Sequence, residues 1–220
     1  MHQVKIAPLA GLVQATWMAT LSRIPLSVQD LLCVQGGEVE KVEFKKAWHN
    51  KRESGPRGTY WQVLHTICAF ANDFCGVNGG YIVIGVEENR RSNDVDDDRE
   101  VILPPVGVKA SEIERIQKEI LGACRANIYP EYTPIITSEV VEMNEVRRNL
   151  LVIWAMASEG KRHTCKEDDR GSYSFYVRQG RETRKATPHE QRQLLSYNEI
   201  PFDDRRAVAY GKLLPNYRSY

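Results

Sequence analysis

The chain has 220 residues, 42% of them hydrophobic, 27% charged and 9% aromatic, with a formal net charge of +1. That balance suits one globular domain with short appendages and excludes a disordered chain, a collagen or a coiled coil. The longest apolar runs, such as YIVIGV at 81–86, are strand-sized, so a membrane-spanning helix is not expected.

From the N-terminus, residues 8–22 read as a short helix, and Gln14, Thr16 and Thr20 interrupt its apolar middle, which argues against a signal peptide. Ser27 caps a turn of helix running to Leu32 and ended by Gly36-Gly37. In VEKVEFKKAW, Val42 and Phe44 alternate with Lys41, Glu43 and Lys45, the pattern of a half-buried strand with a charged face. Thr59 is expected to cap a central, buried helix reaching Asn72. Gly76, Gly79 and Gly80 then turn the chain into YIVIGV, a strand covered on both faces, in which Gly85 marks a bulge or close backbone approach. An acidic loop follows to Pro104-Pro105.

Ser111 to Glu114 has the form of a capping box, opening a helix whose core face is Ile113, Ile116, Ile120 and Ala123. Residues 135–143 and 149–156 read as a hairpin turning at Asn144–Arg148, and 157–171 as a polar loop. In SYSFYVRQG, Tyr173, Phe175 and Val177 alternate with Ser174, Tyr176 and Arg178. Thr187-Pro188-His189-Glu190 then combines an N-cap, a first-turn proline and a capping-box glutamate, opening a helix to about Tyr197. The order β-α-β-α-β-β-β-α predicts an α+β domain on a mixed or antiparallel sheet with packed helices. The division is an N-terminal helical arm at 1–33, the domain at 34–204, and a tail or linker at 205–220.

Four groups of residues bear chemistry. The glycines of CGVNGGYIVIGV lack the Lys-Ser/Thr of a phosphate loop and precede a strand, so a tight turn is the reading there. His65, Cys68, His163 and Cys165 would have to converge to bind zinc, against the plain alternative of a buried cysteine and an exposed loop. Glu38, Glu43 and Lys45 beside one strand, and Glu87-Glu88 after the next, have the composition of a divalent-metal phosphodiesterase site; cross-strand salt bridging is the alternative. Arg178, Arg181, Arg184 and Lys185, near Tyr173 and Tyr176, make a basic cluster suited to phosphates or to a solvated turn. The five cysteines are odd in number and form no CxxC pair, which points to a reducing cytoplasm.

Three of these segments together resemble one family. Glu43-Phe44-Lys45, then Ala69-Phe70-Ala71-Asn72 with Gly79-Gly80 and Ile84-Gly85-Val86, then Tyr176 through Glu190, follow in order the pattern of the Schlafen AlbA-like domain. The resemblance implies an α+β fold and nucleic-acid binding, RNA before DNA, through Lys45, Lys46, Arg178, Arg181, Arg184 and Lys185. It also implies, from the animal members, endoribonuclease activity on structured RNA such as tRNA. There Mg2+ or Mn2+ would sit on Glu38, Glu43 and Glu88, with Lys45 beside them. The family's third acid is an aspartate where this chain has Glu88, and residues Phe74–Val77 lengthen the turn before Gly79-Gly80. Because animal members pair two lobes around a groove and one is present here, a homodimer is expected. The alternative is a non-catalytic DNA-binding, regulatory or assembly module of a larger bacterial protein.

Overall fold

A computed structural model describes residues 24–32, 41–49, 58–87, 89–90, 101–102, 105–143 and 146–196. The expected helix at 8–22, Glu38, Glu88, most of the acidic loop and the tail lie outside the described residues.

Ser27 caps α1 (Val28–Leu32) as expected: its hydroxyl accepts from the Asp30 N–H at 3.1 Å, and the Asp30 carboxylate reaches back to the Ser27 N–H at 3.3 Å. β1 (Val42–Lys45) follows and pairs in parallel with β2 (Gly80–Ile84), a geometry that needs a crossover, supplied by helix α2 (Thr59–Asn72). Thr59 does not cap α2. Gly58 holds that position without a side chain, and the Thr59 hydroxyl instead meets His49 Nδ1 at 3.4 Å.

β2 pairs antiparallel with β7 (Val146–Ala155), and β7 with β6 (Ile135–Met143), completing a sheet of order β1-β2-β7-β6. The hairpin is as expected, but its strands extend to Met143 and Val146, so the turn is tighter than Asn144–Arg148. β3 (Asn89–Arg90) and β4 (Val101–Ile102) form a separate two-stranded ladder.

The third helix, α3 (Ile113–Asn127), follows a 3-10 turn at Ala110–Glu112. The capping box expected at Ser111 does not form, because Ser111 is already inside that turn and Glu114 pairs with Lys118 at 2.6 Å. Ile116, Ile120 and Ala123 are buried as expected, joined by Cys124 and Asn127.

A second, antiparallel sheet has the order β10-β9-β8-β5, from β5 (Ile128–Tyr129), β8 (Thr164–Lys166), β9 (Tyr173–Gln179) and β10 (Glu182–Lys185). β8 lies where a polar loop was expected, and β10 where the chain was read as a turn into a helix. The last helix, α4 (Pro188–Ser196), carries the predicted capping box: the Glu190 N–H donates to the Thr187 hydroxyl, and Glu190 accepts from the Thr187 N–H at 2.7 Å.

Pleat alternation sorts the side chains. On one face of the first sheet, Val42, Phe44, Tyr81, Val83, Leu150 and Val152 pack with Ile24, Val28 and Leu31. On the other, Ile82, Ile84, Leu151 and Ile153 meet α2 and α3, and the same core reaches Ile128, Cys165 and Tyr176 of the second sheet. Helix α2 is thus wedged between the sheets, which explains why eleven of its fourteen residues are buried. Among the described residues no helix is long and apolar enough to cross a membrane.

Two glycines are fixed by close approach. Gly85, at φ +103°, closes β2, its carbonyl accepting from the Val106 and Gly107 N–H groups, and a Cβ there would lie 2.8 Å from Leu150 Cδ2. A Cβ on Gly80 would sit 2.2 Å from the Phe70 ring, itself 2% exposed and unable to swing away. Gly80→Ala is therefore expected to lower stability by about 1–3 kcal/mol. Gly122→Ala on exposed α3, where a Cβ meets nothing within 4 Å, should raise it by about 0.5–1 kcal/mol. Urea unfolding of the two variants beside the parent checks both signs.

Candidate nucleic-acid interface

Glu43 is the only predicted acid of the metal set among the described residues, and its surroundings are well defined. On β1 it sits opposite in direction to Val42 and Phe44, so its side chain enters the space between the two sheets, 7% exposed. One oxygen pairs with Lys45, two residues along the same strand. The other accepts from Arg178 Nη1 at 2.8 Å.

Arg178 is 4% exposed on β9 and spans the gap between the sheets. Its Nη1 also donates to the Thr183 hydroxyl on β10 at 3.2 Å, its Nη2 to the Val42 carbonyl at 3.1 Å, and its plane lies 5.3 Å from the Phe70 ring centre. Thr183 in turn meets Thr66 of α2 at 3.2 Å. A planar fork with several donors suits such a site, where one guanidinium must satisfy a carboxylate, a carbonyl and a hydroxyl together.

A second buried connection runs through Asn72, at the end of α2. Its amide donates to the His163 carbonyl at 2.9 Å and the Tyr176 carbonyl at 3.0 Å, and its oxygen accepts from the His163 N–H at 2.7 Å. His65 stacks on Tyr176 with ring centres 3.9 Å apart and bonds the Lys166 carbonyl through Nε2 at 2.9 Å. Of these residues Asn72 and Tyr176 belong to the motif segments, and the roles of all of them as cross-sheet struts carry no signal in spacing.

The zinc possibility meets one engaged nitrogen on each ring and buried, protonated thiols. His65 Nε2 is on Lys166, His163 Nδ1 bonds the Pro130 carbonyl at 2.7 Å, and Cys68 donates to the His163 carbonyl at 3.3 Å. Burial pushes the Cys68 and Cys124 thiols up to about 12 and raises Cys165 as well, away from the thiolate form that metals need. Among the described residues no group of three or more His, Cys, Asp or Glu side chains is placed to hold a metal ion.

The predicted phosphate-binding cations do not form one open patch. Arg178 is buried on Glu43. Arg184 makes a two-pronged pair with Glu190, at 2.8 and 2.7 Å, and also bonds Gln179. Lys185 pairs with Glu167, and Lys46 with Glu87 at 2.8 Å, both nearer solvent. Arg181 is exposed at the tip of the β9–β10 hairpin.

Two measurements probe this arrangement. Arg178→Met should cost about 3–5 kcal/mol by leaving one Glu43 oxygen and the Val42 carbonyl buried without their charged donor. The double variant Glu43→Leu/Arg178→Met should lose less than the two single losses combined, by about 0.5–3 kcal/mol in a double-mutant cycle. The second concerns pH. The Arg184 guanidinium, aided by the Thr187 N–H and hydroxyl, holds Glu190 down at about 2 against an ordinary 4.5, so its stabilisation is complete above pH 4.5 and is lost as pH falls toward 2. Burial lowers His65 and His163 below 6.5, so their share is complete above pH 6.5 and declines below it. The urea midpoint should therefore fall in both windows, and Glu190→Gln should flatten only the lower one.

The comparisons with known proteins agree with the three-block pattern. The family model Schlafen, AlbA_2 matches residues 38–187. No curated protein matches the chain. Among solved structures, the N-terminal domain of a RecG-related protein from Nitrosomonas europaea is similar at 21% identity and a TM-score of 0.36, over 56% of this chain and 66% of that one. The DIP2311 protein from Corynebacterium diphtheriae is similar at 16% identity and a TM-score of 0.41, over 73% of this chain and 24% of that one. At those values neither structure bears on the function, and this chain spans less than two thirds of each. The match across 38–187 takes in the first two motif blocks and the third as far as Thr187, and the chain belongs to the Schlafen AlbA_2 family.

Proposed function

We propose that this chain is a nucleic-acid-binding domain in which the motif residues build the frame and cations at its rim engage phosphates. Membership of the family across residues 38–187 is the observation that carries this reading. The ion pairs decide which cations can take part. Exposed pairs are worth about 0–1 kcal/mol, so Lys46 and Lys185 can exchange Glu87 and Glu167 for a phosphate at little cost. Arg184 is held by two hydrogen bonds to a capping carboxylate, and Arg178 by a buried pair whose disruption costs several times more. The phosphate set is accordingly Lys46, Lys185 and the exposed Arg181, with RNA the favoured ligand.

Metal-dependent cleavage is a different matter. Both Glu43 oxygens are occupied by cations, so the carboxylate as placed does not fit a divalent ion. Ligation would require it to release Lys45 and Arg178 together. The reading is therefore binding without hydrolysis, with Glu43 as a structural acid.

Labelled tRNA tests this with manganese or with chelator, at 50 and 200 mM salt. Retardation should weaken steeply between the two salt levels, and Lys46→Ala and Lys185→Ala should each flatten the salt slope by about 1. The RNA should stay intact with either addition. Absence of binding at 50 mM salt would sink the proposal. Manganese-dependent cutting that disappears in a folded Glu43→Ala variant would replace it with the nuclease. Sedimentation of the complex at tens of micromolar reports whether two copies share one RNA.

A further inference from the structure

The second sheet has two unlike halves on its outer face. Over β9 and β10, Val177, Ala186 and Leu194 are buried together, with Phe74 and Phe175 packed against them. Over β5 and β8 the described residues leave the face open. Ile128 and Cys165 point into the core, and pleat alternation therefore turns their strand neighbours outward. Tyr129 stands beside Thr164, and Lys166 beside Tyr173. Tyr129 is 71% exposed and Tyr173 46%, whereas Tyr176, on the inner face of the same strand as Tyr173, is 4% exposed.

An isolated exposed tyrosine needs no explanation. Here two share one rigid face with a cation between them. The Lys166 ammonium lies 5.8 Å from the centre of the Tyr173 ring, an arrangement that keeps a positive charge at the aromatic surface. The Thr164 hydroxyl donates to the Tyr129 carbonyl at 3.0 Å and fixes the edge strand. Two strand spacings and a two-residue offset put the tyrosine positions roughly 12 Å apart. Rings with open faces, mounted on a sheet and flanked by a lysine, are what unpaired bases stack on; a duplex, with its bases stacked inside, offers them nothing.

We propose that Tyr129, Lys166 and Tyr173 form a stacking platform for single-stranded nucleic acid, separate from the phosphate-binding rim. The inference rests on the nucleic-acid-binding reading and specifies the strandedness of its ligand. The bases lie against the two rings, Lys166 takes a phosphate alongside, and the sequence of the strand matters little because every base has a flat face.

The test uses fluorescent 12-nucleotide oligouridylate and oligodeoxythymidylate, with a 12-base-pair duplex as comparator. The parent protein should prefer the single strands. Tyr129→Ala and Tyr173→Ala should each weaken single-strand binding by about 5- to 100-fold while leaving duplex binding within about twofold. Tyr129→Phe should bind like the parent, since it keeps the ring. Both side chains face solvent, so thermal unfolding of the variants should match the parent. Unchanged single-strand binding in both alanine variants, or a parent that prefers duplex, overturns the platform and leaves the nucleic-acid reading standing. A parent that binds none of the three probes overturns both.

Discussion

The guanidinium of Arg178 closes the gap between two sheets that share no backbone hydrogen bond through their ladders. It draws together Glu43 and Val42 from β1, Thr183 from β10 and the face of Phe70 from α2. Removing such a charge from water is costly, and the cost is offset only when every donor finds an acceptor in good geometry. The three motif segments meet at this one group. Gly80 fits the same scheme: its missing side chain lets Phe70 lie where the guanidinium can rest above it.

That arrangement changes what the charges mean. A chain at net +1 with its arginines clustered near 180 suggests a basic patch, but the folded protein spends most of that cluster on carboxylates. Glu43, Glu167 and Glu190 come from β1, the β8–β9 connection and α4, so each neutralisation is also a link between elements. What distinguishes structural from exchangeable cations is exposure and the number of hydrogen bonds, not their position in the sequence.

The parts of the fold legible in the sequence were those where burial writes a period. Helix α2, the two-sided β2 and the alternation of β9 all follow from apolar spacing, and Thr187 with Glu190 gave a cap that forms as expected. β10 left no such trace: ETRK has no apolar residue, because its inward position is filled by Thr183 acting through hydrogen bonds. β8 is three residues long with one buried side chain, too short for any period. The caps at Thr59 and Ser111 failed for local reasons, since each hydroxyl lies one or more positions too far into its turn. At the candidate site, residue types were legible but pairing was not. Glu43 and Lys45 fit a salt bridge, the plainer reading, as well as a metal site, and only the placement of Arg178, far along the chain, decides which oxygens are occupied.

The same geometry explains why the second sheet divides as it does. The lengthened turn places Phe74 against the β9 side of the sheet, and the Cys75 thiol donates to the Arg178 carbonyl, so the turn and α4 cover one half of the face. Asp73 holds that turn, its carboxylate accepting from the N–H groups of Val77, Asn78 and Gly79. Among the described residues the apolar cover of the outer face does not extend to β5, where Tyr129 is the most exposed large hydrophobic side chain. Had the outer face been covered throughout, both tyrosines would be core residues like Tyr176. With the cover confined to one half, the rigid frame that Arg178 secures presents aromatic rings to solvent at fixed spacing, the condition under which stacking on a flexible strand loses least entropy.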